Sequence, residues 1–208
     1  LNPSIIDVSM SGMRNALAWT IIIIALWNRS KVIRFALFLP SLFIHSATLV
    51  LILLYYSTNF SEKIFKKGAA VLASGLLVGI CMGLGLTVLN ELVVGGLGDR
   101  RAGADYIRGG HSFLQASIWI ILLIFMCTSG YDYIRRNIFI ISVLSWYQIM
   151  NPFIPHAYRI WAALLPIISM SVLDLPARKR QVFLFLYSGY LVMQYAYWSN
   201  LFYYWYPV

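Results

Sequence analysis

A few ionisable residues stand where ionisable groups are costly. Arg14 opens one apolar stretch, in Met13-Arg14-Asn15-Ala16-Leu17-Ala18, and Arg159 opens another, in Tyr158-Arg159-Ile160. A cation in the first turn of a helix opposes the helix dipole, which favours anions at that end. A bound phosphate would reverse the balance, because helix N-termini and arginine both hold phosphate well. Two such starts on one side of a membrane would make a paired anion clamp. The alternative is a pair of interface arginines that reach to lipid headgroups.

His45 is the only charged or imidazole-bearing residue between Phe35 and Tyr56, and Ser46 follows it. An imidazole there could act as a general base or a hydrogen-bond donor. The alternative is a core histidine satisfied by a neighbouring helix. A polar connector from Asn90 to Ser112 carries Asp99, Arg100, Arg101, Asp105, Arg108 and His111. Its arginines could contact phosphate and Asp105 could serve as a reserve base; the alternative is a solvated loop. Cys81 and Cys127 lie inside apolar stretches without metal-ligand spacing and read as small core residues. The aromatic run from Tyr195 to Tyr206 reads as an interfacial belt, with sugar stacking as the other reading. The sequence holds no metal motif, phosphate-binding loop, dinucleotide fingerprint or serine-nucleophile elbow, and neither a metal nor a cofactor is expected.

The elements that must position these residues are apolar. Of 208 residues, 61% are hydrophobic and 11% charged. A soluble domain carries about 25% charged residues. A globule in water could not hide this much apolar surface, so soluble enzymes, disordered tails, collagens and disulfide-stapled secreted domains are excluded. The expected fold is all-α: a single polytopic transmembrane helical bundle over 1–208 with about six to seven membrane segments. The candidate segments are Ala16–Trp27, Phe35–Tyr56, Ala69–Leu89, Phe113–Cys127, Ile138–Phe153, Ala157–Leu173 and Val182–Leu201. Gly75, Gly79 and Gly83 recur every fourth residue in the third, a stripe that admits close helix approach. Pro152 and Pro155 are expected to end the fifth.

The net charge of +9 would suggest nucleic acid in a soluble protein. Here the basic residues cluster at the ends of apolar stretches, where they orient helices and meet membrane lipid; no nucleic-acid partner is expected. If all seven segments span, the basic residues divide nine against seven, which fixes no orientation. If Phe35–Tyr56 is a re-entrant hairpin broken near Pro40 to His45, the division becomes eleven against five. The hairpin is the better fit. It leaves Arg14, Arg100, Arg101, Arg108 and Arg159 outside, all of them arginine.

The pattern around Arg14, the basic turn Arg29-Ser30-Lys31, and Phe43-Ile44-His45-Ser46-Ala47-Thr48-Leu49 resembles the EpsG/Wzy-like family of bacterial exopolysaccharide and O-antigen polymerases. Tyr158-Arg159-Ile160 is similar to that family's downstream arginine, and Asp105-Tyr106-Ile107-Arg108 to its outer loop. The resemblance runs over roughly residues 10–165, and its specific part is around Arg14 and His45. The histidine sits one residue further from Phe43 than the family pattern has it. Family members carry further N-terminal spans, so the chain is expected to be the C-terminal part of a longer one.

The resemblance implies a membrane glycosyltransferase. It would join oligosaccharide repeat units carried on undecaprenyl diphosphate at the outer face of the bacterial cytoplasmic membrane, where a chain-length regulator could act with it. It implies Arg14, Arg159 and His45 as catalytic residues: the arginines for the departing diphosphate, His45 for the acceptor hydroxyl. Arg108, Asp105, Asn15 and Tyr158 are implied in substrate binding. Three other readings compete: a flippase or transporter of lipid-linked sugar, a membrane acyltransferase based on His45, and a helical scaffold subunit. A transporter would show internal repeats, and none is visible. An acyltransferase would place an acid beside its histidine, and none lies near His45.

Overall fold

The computed structural model describes residues 13–44, 48–66, 68–97, 113–151 and 157–205. The side chains of residues 13–16, 87, 89–97, 113–115, 157–163 and 197–205 lie outside that description. The described residues form eight helices and no strand. These are α1 (Met13–Trp27), α2 (Lys31–Ile44), α3 (Thr48–Ile64), α4 (Gly68–Leu97), α5 (Phe113–Cys127), α6 (Tyr131–Met150), α7 (Ala157–Leu173) and α8 (Ala177–Trp205). The all-α expectation holds.

Four short turns gather at one end of the bundle, here the basal end. The first joins α1 to α2. Ser30 caps α2, its Oγ accepting from the Ile33 N–H at 3.5 Å, and the Ser30 N–H donates to Asn28 Oδ1 at 2.9 Å. Arg34 locks this turn by donating from Nε to the Ala25 carbonyl at 3.2 Å and from its terminal nitrogens to the Asn28 carbonyl and the Tyr55 hydroxyl. The second turn joins α3 to α4, where the Tyr131 hydroxyl donates to the Lys66 carbonyl at 2.9 Å. The third, between α5 and α6, passes through Gly130 at φ 93°, a left-handed conformation that glycine adopts without strain. The fourth joins α7 to α8, and there the Arg180 guanidinium donates to the Leu173 carbonyl at 2.7 Å.

Side-chain pairs fix the direction of each helix. Gly75, Gly79 and Gly83 on α4 meet Ile138, Ser145 and Ile149 on α6 in increasing order, so these two helices run parallel. The Tyr133 hydroxyl donates to the Ser171 carbonyl at 2.8 Å, which sets the end of α7 beside the start of α6. Lys179 reaches Thr128 Oγ1 at 2.7 Å while Trp119 meets Phe183 and Tyr187, so α8 runs antiparallel to α5. The eight helices therefore alternate in direction.

Phe35–Tyr56 divides into two antiparallel helices, with Arg34 bonded to Tyr55 and Phe38 packed edge-on against Tyr55 and Tyr56. The interruption follows Ile44. Pro40, expected to take part in the break, lies inside α2. Other boundaries also move. α6 runs from Tyr131, but it is kinked at Asn137 (φ −112°, ψ 15°), so its apolar part begins at Ile138 as expected and a short charged segment precedes the kink. α8 starts at Ala177 rather than Val182, because it continues past its apolar part into a charged turn. α6 ends at Met150, ahead of Pro152 and Pro155, which lie outside the described residues.

α6 is the central helix and packs on α3, α4, α5 and α7. Ile141, Leu144, Trp146 and Tyr147 are fully buried along it. Its closest partner is α4, and the glycine stripe is the reason. A Cβ at Gly79 would stand 2.7 Å from Ser145 Cβ and 2.9 Å from the Trp146 nitrogen, and one at Gly83 would stand 2.9 Å from Ile149 Cβ. The sequence expectation of a close helix contact is met. Serine and threonine fill the same seam: Ser142 Oγ lies 2.8 Å from the Gly75 carbonyl oxygen and 3.3 Å from Thr58 Oγ1. Cys127 is half-buried, whereas Cys81 is exposed on α4, so the core reading fails for Cys81. On a helix whose glycines take the packing face, Cys81 is left on the other side.

Large apolar side chains cover the outside. Phe43 is 85% exposed, Phe185 79% and Val32 78%. Ser41, Thr48, Thr58, Ser74, Ser142 and Ser145 are buried. Among the described residues one helix, over Gly68–Leu86, is long and apolar enough by itself to cross a membrane; shorter apolar helices cover Leu17–Trp27, Ala116–Cys127 and Leu164–Leu173.

Candidate functional site

The helix directions sort the sequence-predicted residues. Arg14 and Asn15 sit in the first turn of α1, and Tyr158 and Arg159 in the first turn of α7. Their side chains lie outside the described ones. His45, Asp105 and Arg108 lie outside the described residues. His45 is flanked by Ile44 and Thr48, the end of α2 and the start of α3; Asp105 and Arg108 are flanked by Leu97 and Phe113, the end of α4 and the start of α5. All of these helix ends belong to the end of the bundle opposite the basal turns, here the distal end.

The levels agree as well as the ends. Ile23, Leu26, Trp27, Arg136, Ser171 and Asp174 line one crevice of about 220 Å³ and mark a common basal level for α1, α6 and α7. At about 1.5 Å per residue, Arg14 stands about 20 Å above Trp27, Ile44 about 20 Å above Lys31 and Arg159 about 18 Å above Ser171. α1 packs against α2, α3 and α7. One helix thus packs against both helices that flank His45 and against the helix that carries Arg159. A second feature at this end was missed from sequence. Asn151 caps α6, is buried, and its Oδ1 has no hydrogen-bond partner among the described residues. A buried amide oxygen ordinarily has a partner. The amide beside Pro152 is the residue that could have drawn attention in the sequence.

The basal end holds a different arrangement. A cleft of about 780 Å³ opens between α2, α3 and α6, with Lys31, Arg34, Lys63, Lys66 and Arg135 around it and Glu62 as the one carboxylate. Arg135 Nε donates to Glu62 Oε1 at 2.9 Å. That hydrogen bond raises the Arg135 pKa above its ordinary value. The Arg34 guanidinium carbon lies 4.9 Å from the centre of the Tyr55 ring. Tyr55 also meets Phe38, Tyr56 and Phe139 edge-on, so an aromatic cluster holds Arg34 in place. The sequence reading used these cations for orientation alone and assigned them no cleft. Their convergence depends on α2 and α3 folding back on each other, which brings residues about thirty positions apart to one rim.

No group of three or more His, Cys, Asp or Glu side chains among the described residues could hold a metal ion. No family model, curated protein or solved structure matches the chain.

Proposed function

We propose that this chain is a polytopic membrane glycosyltransferase of the polysaccharide-polymerase type, seated in the bacterial cytoplasmic membrane with its distal end outward. The membrane reading is supported by apolar side chains outside and hydroxyl side chains inside, the distribution that lipid rather than water favours. The orientation is supported by the basic residues at the basal turns, which the positive-inside rule puts in the cytoplasm. In this reading α2 and α3 form a re-entrant hairpin entered from the cytoplasmic face.

The observation that supports the activity is that the α1 start, the helix ends flanking His45 and the α7 start lie at one end of the bundle, on helices that all pack against α1 or belong to it. Two helix starts bearing arginine at that end would offer two dipole ends and two cations to one anion. Such a region suits a diphosphate that gains charge as it leaves. His45, between Ile44 and Thr48, is the base for an acceptor hydroxyl. The acceptor oxygen attacks the anomeric carbon of the growing chain's reducing-end sugar. The bond from that carbon to the diphosphate oxygen breaks, and undecaprenyl diphosphate departs with the electron pair. The hydroxyl proton passes to His45. Asn151 Oδ1 accepts a hydrogen bond from a sugar hydroxyl, while Asn15, Tyr158, Arg108 and Asp105 line the substrate.

Liposomes holding the purified full-length protein and lipid-diphosphate-linked repeat units test the reading. A polymerase yields a ladder of glycan lengths and one lipid diphosphate per linkage formed. Movement of the lipid-linked unit across the bilayer without a ladder would instead establish a transporter. Transfer of an acyl group would establish an acyltransferase.

A further inference from the structure

The basal cleft has three properties that no step of glycan polymerisation uses. First, it is cationic in excess: five basic side chains face one carboxylate, and Arg135 already engages that carboxylate. Second, Lys31, Lys63 and Lys66 donate no side-chain hydrogen bond and form no ion pair among the described residues, whereas Arg34 is held by three acceptors. Third, the cleft runs into exposed apolar surface. Val32, Phe35, Leu39 and Phe43 make an exposed stripe along α2 that starts at the cleft. Leu49, Leu53, Tyr56 and Phe60 make a second stripe along α3. Phe35 and Tyr56 belong both to a stripe and to the cleft wall.

We propose that this cleft binds one anionic phospholipid from the cytoplasmic leaflet, with its phosphate headgroup among Lys31, Lys63 and Lys66 and its acyl chains along the α2 and α3 stripes. Charge complementarity selects the headgroup: three unpaired ammonium groups favour a phosphate without a compensating choline. The adjoining stripes select a lipid over a free phosphate, because a free anion would leave them unused. Tyr55 and Arg34 shape the wall: the guanidinium donates to Ala25, Asn28 and the Tyr55 hydroxyl and lies over the Tyr55 ring, which holds both side chains against the protein. Asn59, beside the lysines in the cleft wall, has its side-chain nitrogen on the Tyr55 carbonyl at 2.8 Å, which leaves its amide oxygen to accept from a headgroup hydroxyl. A lipid in this position would hold the α2–α3 hairpin at its membrane-facing side, remote from the distal end. The inference rests on the membrane part of the proposed function and is independent of the polymerase activity.

The test is native mass spectrometry of the full-length protein in mild detergent, titrated separately with phosphatidylglycerol, phosphatidylcholine and inorganic pyrophosphate. The expected result is one retained phosphatidylglycerol per chain, with little phosphatidylcholine and little pyrophosphate. Together, Lys31→Gln, Lys63→Gln and Lys66→Gln should weaken phosphatidylglycerol binding by at least about tenfold. Lys63→Gln alone, an exposed single change with no bond to lose, should weaken it measurably. Arg178→Gln, a basal cation away from the cleft, should leave it unchanged. Equal binding of phosphatidylcholine, or full retention of phosphatidylglycerol in the triple variant, would overturn the site. So would an equal loss with Arg178→Gln. Pyrophosphate binding as tight as the lipid would overturn the lipid assignment. Extraction of membranes with alkaline carbonate separates the two readings. Release of the chain overturns the membrane reading and this proposal with it, whereas retention without lipid selectivity overturns the site alone.

Discussion

The Ser142 hydroxyl lies 2.8 Å from the Gly75 carbonyl oxygen, so α6 bonds directly to the backbone of α4. The contact exists because Gly75 has no side chain in the way. Thr58 Oγ1, 3.3 Å from Ser142 Oγ, brings α3 to the same point. Ser142→Ala keeps the volume and removes the bridge. It should lower stability in detergent by about 0.5–1.5 kcal/mol, measured by reversible unfolding. An unchanged midpoint would mean that packing alone joins the three helices.

The glycines of α4 are unequal. Gly79→Ala should cost about 1–3 kcal/mol, because the new methyl group would press on the Trp146 nitrogen and on Ser145, and backbone gives way poorly. Gly85→Ala meets nothing within 4 Å and should leave stability unchanged or raise it by up to about 1 kcal/mol. Thermal unfolding of the two variants side by side checks the parallel packing of α4 on α6.

Arg34 is predicted to hold the basal turn. Arg34→Lys keeps the charge but loses the planar group that reaches Ala25, Asn28 and Tyr55 at once. It should lower stability by about 1–3 kcal/mol. Tyr55→Phe removes one acceptor and keeps the ring contact, so it should cost less. A larger loss for Tyr55→Phe would contradict the ranking.

Helix direction can be read chemically. In a background without Cys81 and Cys127, single cysteines at Ser30 and at Lys66 should be labelled from the same membrane face. Ser61, which is buried, is a poor probe. Labelling of the two from opposite faces would reject the hairpin formed by α2 and α3.

Much of this architecture was legible in the sequence, and the reasons differ by element. The glycine stripe announced its contact because the spacing of Gly75, Gly79 and Gly83 matches one helix face. The hairpin was legible through charge: only a fold-back at Phe35–Tyr56 puts Arg29, Lys31, Arg34, Lys63 and Lys66 at one end. The site of its interruption was less legible, because a proline such as Pro40 can sit inside a helix whose freed backbone groups find other partners. The start of α8 and the charged segment of α6 ahead of its Asn137 kink were hidden for a related reason, since hydropathy marks where a helix is apolar and not where it begins. Cys81 was misread because apolar sequence context does not say which face packs. The ends that carry Arg14 and Arg159 follow from helix direction, but the basal cleft could not be foreseen. It needs Lys31, Lys63 and Arg135 from three helices to meet.

The most direct test of the central claim is repeat-unit polymerisation in cells that express Arg14→Ala, His45→Ala or Arg159→Ala at matched protein levels. Arg14→Lys and Arg159→Lys report whether bidentate geometry matters beyond charge. Each alanine variant should abolish long glycan and leave single repeat units, while the lysine variants should retain partial chain growth. Polymer length unchanged from wild type in all three alanine variants would contradict the account.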